Sequence, residues 1–122
     1  MNDLKTKIRQ FANERQWEQF HTPKNLVMAL SVETAELMEH FQWLTPEESA
    51  QLTPSQHAEV KDEIGDIMIY LTNIADKLNI DLDEAAHQKL EKAAKKYPVH
   101  KAKGHALKYT KFSQPKEEFI TQ

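Results

Sequence analysis

Three Thr-Pro dipeptides, at Thr22-Pro23, Thr45-Pro46 and Thr53-Pro54, in a chain with only two glycines, leave little room for any fold but an all-helical one. A cap threonine accepts a hydrogen bond from an unpaired N–H of the first turn, and proline in the next position already holds the helical φ. Thr45-Pro-Glu-Glu48 and Thr53-Pro-Ser-Gln56 add the glutamate or glutamine that completes a capping box. Asp81-Leu-Asp-Glu84 repeats the logic with an aspartate cap. These signals predict helices over about 3–18, 23–43, 54–79 and 82–96, with a short turn near 46–51 and Tyr97-Pro98 ending the last helix. Strand-like alternation and internal repeats are absent. With 39% hydrophobic residues in 122, the chain has a core for one domain, placed at residues 1–110. The expected architecture is an all-α four-helix bundle with an extended basic C-terminal tail, of which 111–122 is expected to be flexible.

Two carboxylate motifs interrupt the apolar helices. Leu26, Leu30, Leu37 and Phe41 make a stripe on the second helix, and the position completing it is Glu33. Glu33-Thr-Ala-Glu36 and Glu63-Ile-Gly-Asp66 each place two acids three residues apart, on nearly the same side of a helix with about 3.6 residues per turn. Ionised carboxylates in core-facing positions cost several kcal/mol each unless partnered. Two such pairs on facing helices would make a cage of hard oxygen ligands, suited to Mg²⁺ and, through it, to a polyphosphate. On the third helix, Val60, Ile64, Ile67, Leu71, Ile74 and Leu78 form a seam of 3.5-residue period, with Glu63, Asp66, Tyr70 and Asn73 in a second stripe beside it. Met68 and Ile69 are apolar on a further side, which predicts oligomerisation. Gly65, between the acids of the second pair, leaves room for another backbone or a ligand to approach.

Composition excludes several classes of function. A formal charge of −3 provides no overall basic surface for nucleic acid. Without cysteine there are no disulfides, thiol catalysis or zinc–thiolate sites. No apolar run approaches membrane-spanning length, and Met1-Asn-Asp-Leu-Lys lacks a hydrophobic targeting run, so a cytoplasmic protein without nucleic-acid or membrane partners is expected.

The segments Trp17-Glu-Gln-Phe-His21, Asn25-Leu26, Glu33-x-x-Glu36-Leu37, Phe41-Gln-Trp43, Glu63-x-x-Asp66-Ile-x-Ile-Tyr70-Leu71 and Lys96-Tyr-Pro98 resemble the dCTP pyrophosphatase branch of the MazG-like all-α NTP pyrophosphatases. The similarity runs to about Tyr109-Thr110. It implies Mg²⁺-dependent hydrolysis of a deoxynucleoside triphosphate to the monophosphate and pyrophosphate, in a homotetramer built as a dimer of dimers. Glu33, Glu36, Glu63 and Asp66 would then be the catalytic and metal-binding acids. Trp17 and Trp43 are the implied stacking surfaces for the base, with Tyr70 near the sugar and His21 beside them. Lys89 matches a lysine of the family's phosphate-side motif, and Lys96 is the second implied phosphate contact among the six lysines of residues 95–111.

Two positions depart from that pattern. Ala93 stands where the family usually has asparagine, and Ile8 where vertebrate members carry a histidine near the base pocket. The first removes one phosphate or sugar contact that the pattern implies, and the second leaves cytosine preference less secure than the reaction, so a modified dCTP, another pyrimidine triphosphate or a broader dNTP set stays open. Two rival classes remain: a non-catalytic helical interaction module whose acids form surface ion pairs, and a di-iron bundle. The latter wants two Glu-x-x-His motifs. This chain has one, Glu84-Ala-Ala-His87, whose glutamate is more simply a capping residue.

Overall fold

The three Thr-Pro sites each start a helix. In the computed structural model, which describes residues 2–111, α1 spans Asn2–Glu14, α2 Pro23–Glu39, α3 Pro46–Ser49, α4 Pro54–Lys77, α5 Leu82–Lys96 and α6 Val99–Ala102. Single 3₁₀ turns occupy Glu18–Phe20 and Tyr109–Lys111. Every element among the described residues is helical, and no helix there is long and apolar enough to cross a membrane. The Thr22, Thr45 and Thr53 hydroxyls accept from the backbone N–H of Asn25, Glu48 and Gln56 at 3.1–3.2 Å. Glu48 and Gln56 return the bond to the backbone N–H of Thr45 and Thr53, both at 2.9 Å, so both capping boxes form.

Helix ends differ more from expectation than helix starts. α1 stops four residues early, because Gln16 takes a left-handed φ of 54° and Trp17 N–H bonds back to the Ala12 carbonyl. This closing bond is the one usually made around glycine. Asn79, at φ 56°, ends α4 in the same way, with Ile80 N–H on the Ala75 carbonyl. α2 ends at Glu39 and runs into tight turns, which puts Trp43 beyond the helix. The stretch after Pro98, expected to be extended, contains α6 and the second 3₁₀ turn. From residue 112 onward, the segment expected to be flexible lies outside the described residues.

The chain falls into two compact units, the first ending at Asp81 and the second beginning at Leu82. In the first, α2 packs chiefly against α4, and α1 more lightly against α4. Leu26, Ala12, Val60, Ile74 and Ala75 are buried there. Arg9 of α1 donates to both carboxylate oxygens of Asp76 on α4, and Lys77 pairs with Glu18. These pairs tie α1 and the turn after it to the end of α4. In the second unit, Tyr97 and Tyr109 meet edge-on at 6.0 Å, and Lys96 Nζ lies 5.1 Å from the Tyr109 ring.

α4 turns inward half of the seam that its heptad pattern singles out, with Val60 and Ile74 buried and Ile67 half-buried. Ile64, Leu71 and Leu78 of the seam are exposed, while Glu63 and Tyr70 are half-buried and Asn73 is buried. The exposed part of the seam continues into Met68 and Ile69, and α2 adds exposed Val27, Met28, Val32 and Met38. A Cβ added at Gly65 would meet nothing within 4 Å.

Candidate functional site

The packing of α2 on α4 brings three acids together. One carboxylate oxygen each from Glu33, Glu36 and Glu63 lie within 4.8 Å of one another, with all three side chains half-buried. Glu33 and Glu36 are one turn apart on α2, and Glu63 comes from the facing stripe of α4. Glu33 Oε2 and Glu63 Oε2 are buried and have no hydrogen-bond partner. None of the ion pairs among the described residues involves these acids. Burial, then the Glu63 and Glu36 carboxyl groups beside it, then the charges of Glu36 and Asp66, push Glu33 up to about 7 from an ordinary 4.5. Like charges held this close disfavour ionisation of at least one member.

Asp66 is exposed and is not among the converging oxygens, although its charge reaches Glu33. Such a set fits a hard divalent cation: the donors are all oxygen, they converge, and two buried oxygens lack any other partner. Soft or thiolate-preferring metals have no ligand here, as the chain has no cysteine.

A second group forms where α1 turns toward α2. Trp17 lies edge-on to Phe11 at 5.7 Å and to His21 at 6.4 Å. Asn25 Nδ2 donates to the Phe20 carbonyl and holds the turn. His21 Nδ1 is 3.3 Å from Asn73 Nδ2 on α4. Trp17 and His21 are thus brought together, with Tyr70 one turn before Asn73 on the stripe that carries Glu63. Trp43 stands apart at 87% exposure. Lys89 and Lys96 belong to the second unit, both exposed.

Sequence reasoning passed over Phe11 and Asn73 as site residues. Phe11 carries no signal beyond its apolarity. Asn73 had one, as a neutral amide in the stripe of Glu63, Asp66 and Tyr70.

A sequence model of the MazG-like family matches residues 28–112, which takes in both acidic motifs and α5. The chain belongs to the MazG-like family. This MazG-like chain is 41% identical to dCTP pyrophosphatase 1 of Bos taurus and 38% identical to that of Homo sapiens, over 112 residues and 90% of its own length. It spans 66% of the length of each of these relatives, just under two thirds. Among solved structures, a pyrophosphatase from Archaeoglobus fulgidus superposes with a TM-score of 0.76 at 40% identity, covering 80% of this chain and 92% of that one. The all-helical MazG-like fold is therefore the architecture in which the three converging acids sit.

Proposed function

We propose that this protein is a Mg²⁺-dependent nucleoside triphosphate pyrophosphohydrolase acting on dCTP or related and modified dNTPs, releasing pyrophosphate and the monophosphate. The observation that carries the reading is the convergence of Glu33, Glu36 and Glu63, with two buried oxygens left unpartnered. The names of the mammalian and archaeal relatives support the reaction class. Glu33, Glu36 and Glu63 would hold the cation, and Asp66, whose charge reaches Glu33, is assigned to the same site. Bound there, Mg²⁺ supplies positive charge for phosphate oxygens and acidifies water. Water would then be the nucleophile, the bridge between the α- and β-phosphoryl groups breaking to give the monophosphate and pyrophosphate, and a carboxylate of the cluster would take its proton. Lys89 and Lys96 are assigned the phosphate charge that remains. The uncovered apolar side chains of α2 and α4 support assembly, for which a homotetramer of paired dimers is the proposed form.

The test is product analysis with each dNTP, 5-methyl-dCTP and dUTP, with and without Mg²⁺. Mg²⁺-dependent pyrophosphate and monophosphate are expected; orthophosphate and diphosphate, or no product with any nucleotide, would overturn the reading and favour a helical interaction module. Trp43 allows a second check. A side chain this exposed contributes little to folding, so Trp43→Ala is expected to change stability by no more than about 0.5 kcal/mol. Base stacking on an aromatic is worth about 1–3 kcal/mol, so the same variant should raise the KM for dCTP roughly fivefold or more. An unchanged KM removes Trp43 from the site.

A further inference from the structure

The stripe of α4 that bears Glu63, Asp66 and Tyr70 continues to Asn73, whose side chain lies in a residue only 7% exposed. A buried amide requires a hydrogen-bond partner, and Asn73 meets His21 across the gap between α4 and the turn that precedes α2. Its amide nitrogen can only donate. The His21 nitrogen facing it, Nδ1, therefore accepts, and neutral His21 carries its proton on Nε2. The ring is fixed on other sides as well. It lies edge-on to Trp17, and the turn carrying both is held by the Trp17 N–H on the Ala12 carbonyl, by Asn25 on the Phe20 carbonyl and by the Glu18–Lys77 pair. Trp17 itself is 43% exposed and keeps open surface for a ligand.

We infer that Asn73 is a positioning residue that sets base specificity: by locking His21 with its proton on Nε2, it makes that nitrogen of the ring beside Trp17 a hydrogen-bond donor and not an acceptor. The inference rests on the proposed nucleotide-hydrolysing function and on Trp17 and His21 as the base contacts that the family resemblance implies. A donor at Nε2 suits a pyrimidine edge made of acceptors. Cytosine offers adjacent acceptors at O2 and N3, whereas uracil and thymine carry a proton at N3, so a donor directed at N3 discriminates between them where one directed at a carbonyl oxygen would not. A methyl group at C5 leaves that edge unchanged, so 5-methylcytosine should be accepted alike. Asn73 acts on this edge only through His21, which separates its role from that of the acids two turns earlier on α4.

The experiment is ¹⁵N NMR of the histidine rings in the full chain, combined with kinetics on dCTP and dUTP. The parent protein should show His21 protonated at Nε2 and not at Nδ1. Asn73→Asp places an acceptor at Nδ1 and should move a proton there, and Asn73→Ala should release the tautomer. Both variants should lower kcat/KM for dCTP relative to dUTP by about tenfold, the worth of one hydrogen bond, with the loss in KM. A parent spectrum with the proton on Nδ1 overturns the inference without any variant. So does a His21 tautomer indifferent to both substitutions while dCTP still shifts the Trp17 and His21 resonances. If the Nε2–H signal is as expected but no nucleotide perturbs either ring, the base-contact reading of this face fails, and the proposed specificity fails with it.

Discussion

Glu63→Gln should abolish turnover while leaving the protein folded and able to assemble. The substitution keeps the shape of the side chain and removes one of three converging charges. Loss of a partner in the outer shell of a metal site commonly costs ~10–100-fold, and loss of a direct ligand is expected to exceed that. Stability should move in the opposite sense. Without cation, Glu63 contributes negative charge and a buried oxygen that lacks a partner. An amide in its place removes the charge and offers a donor to Glu33, so the cation-free variant should melt no lower than the parent. Adding Mg²⁺ or Mn²⁺ should then stabilise the parent and not the variant. Asp62→Asn, at an exposed acid one residue away, is the control that keeps activity. Turnover in Glu63→Gln equal to the parent would remove the acids from the reaction, whatever the family resemblance suggests.

Helix starts were legible in this sequence because cap chemistry is local: threonine, proline and a glutamate or glutamine three residues on act within one turn. Helix ends were not. The left-handed residue that closes α1 is Gln16 and the one that closes α4 is Asn79, so no glycine marks either stop. Glu33 could be picked out because an acid in an apolar stripe conflicts with its surroundings, and burial is the first cause of its raised pKa. Asp66 shared the three-residue spacing yet stays exposed, since spacing places two acids on one side of a helix without deciding how deeply either is covered. The heptad seam of α4 was legible in half of its positions. Periodicity marked Val60, Ile67 and Ile74, which turn inward, together with Ile64, Leu71 and Leu78, which stay exposed while Glu63 and Asn73 of the neighbouring stripe are covered. Asn73 needed the structure, because its meaning depends on His21, 52 residues earlier.

The cation-free protein should lose stability as pH rises from about 4.5 to about 7, and a divalent cation should reverse this. Glu33 is held up to about 7 in the folded chain against 4.5 as its ordinary value, so the folded state binds its proton more tightly than the unfolded state does. That contribution is fully present below 4.5 and disappears as pH climbs through 7, with a slope of at most about 1.4 kcal/mol per pH unit for one proton. Asp76 works the other way. Its bonds from Arg9 hold it below its ordinary 3.8, so its contribution is present above that value and is lost as pH falls through the lowered one. Without cation, these two groups together favour the interval between them, on the acid side of neutrality. A cation bound to the acids displaces the Glu33 proton, so binding near pH 6.5 should release protons to the buffer, measurable by calorimetry in buffers of different ionisation heat. At about 100 times its Kd the cation should add about 2.7 kcal/mol, and the stability maximum should move toward neutral pH. Melting curves from pH 4 to 8, in chelator and in Mg²⁺, test this directly. Glu33→Gln should flatten the slope in chelator; a slope that survives the substitution would mean that another group carries it.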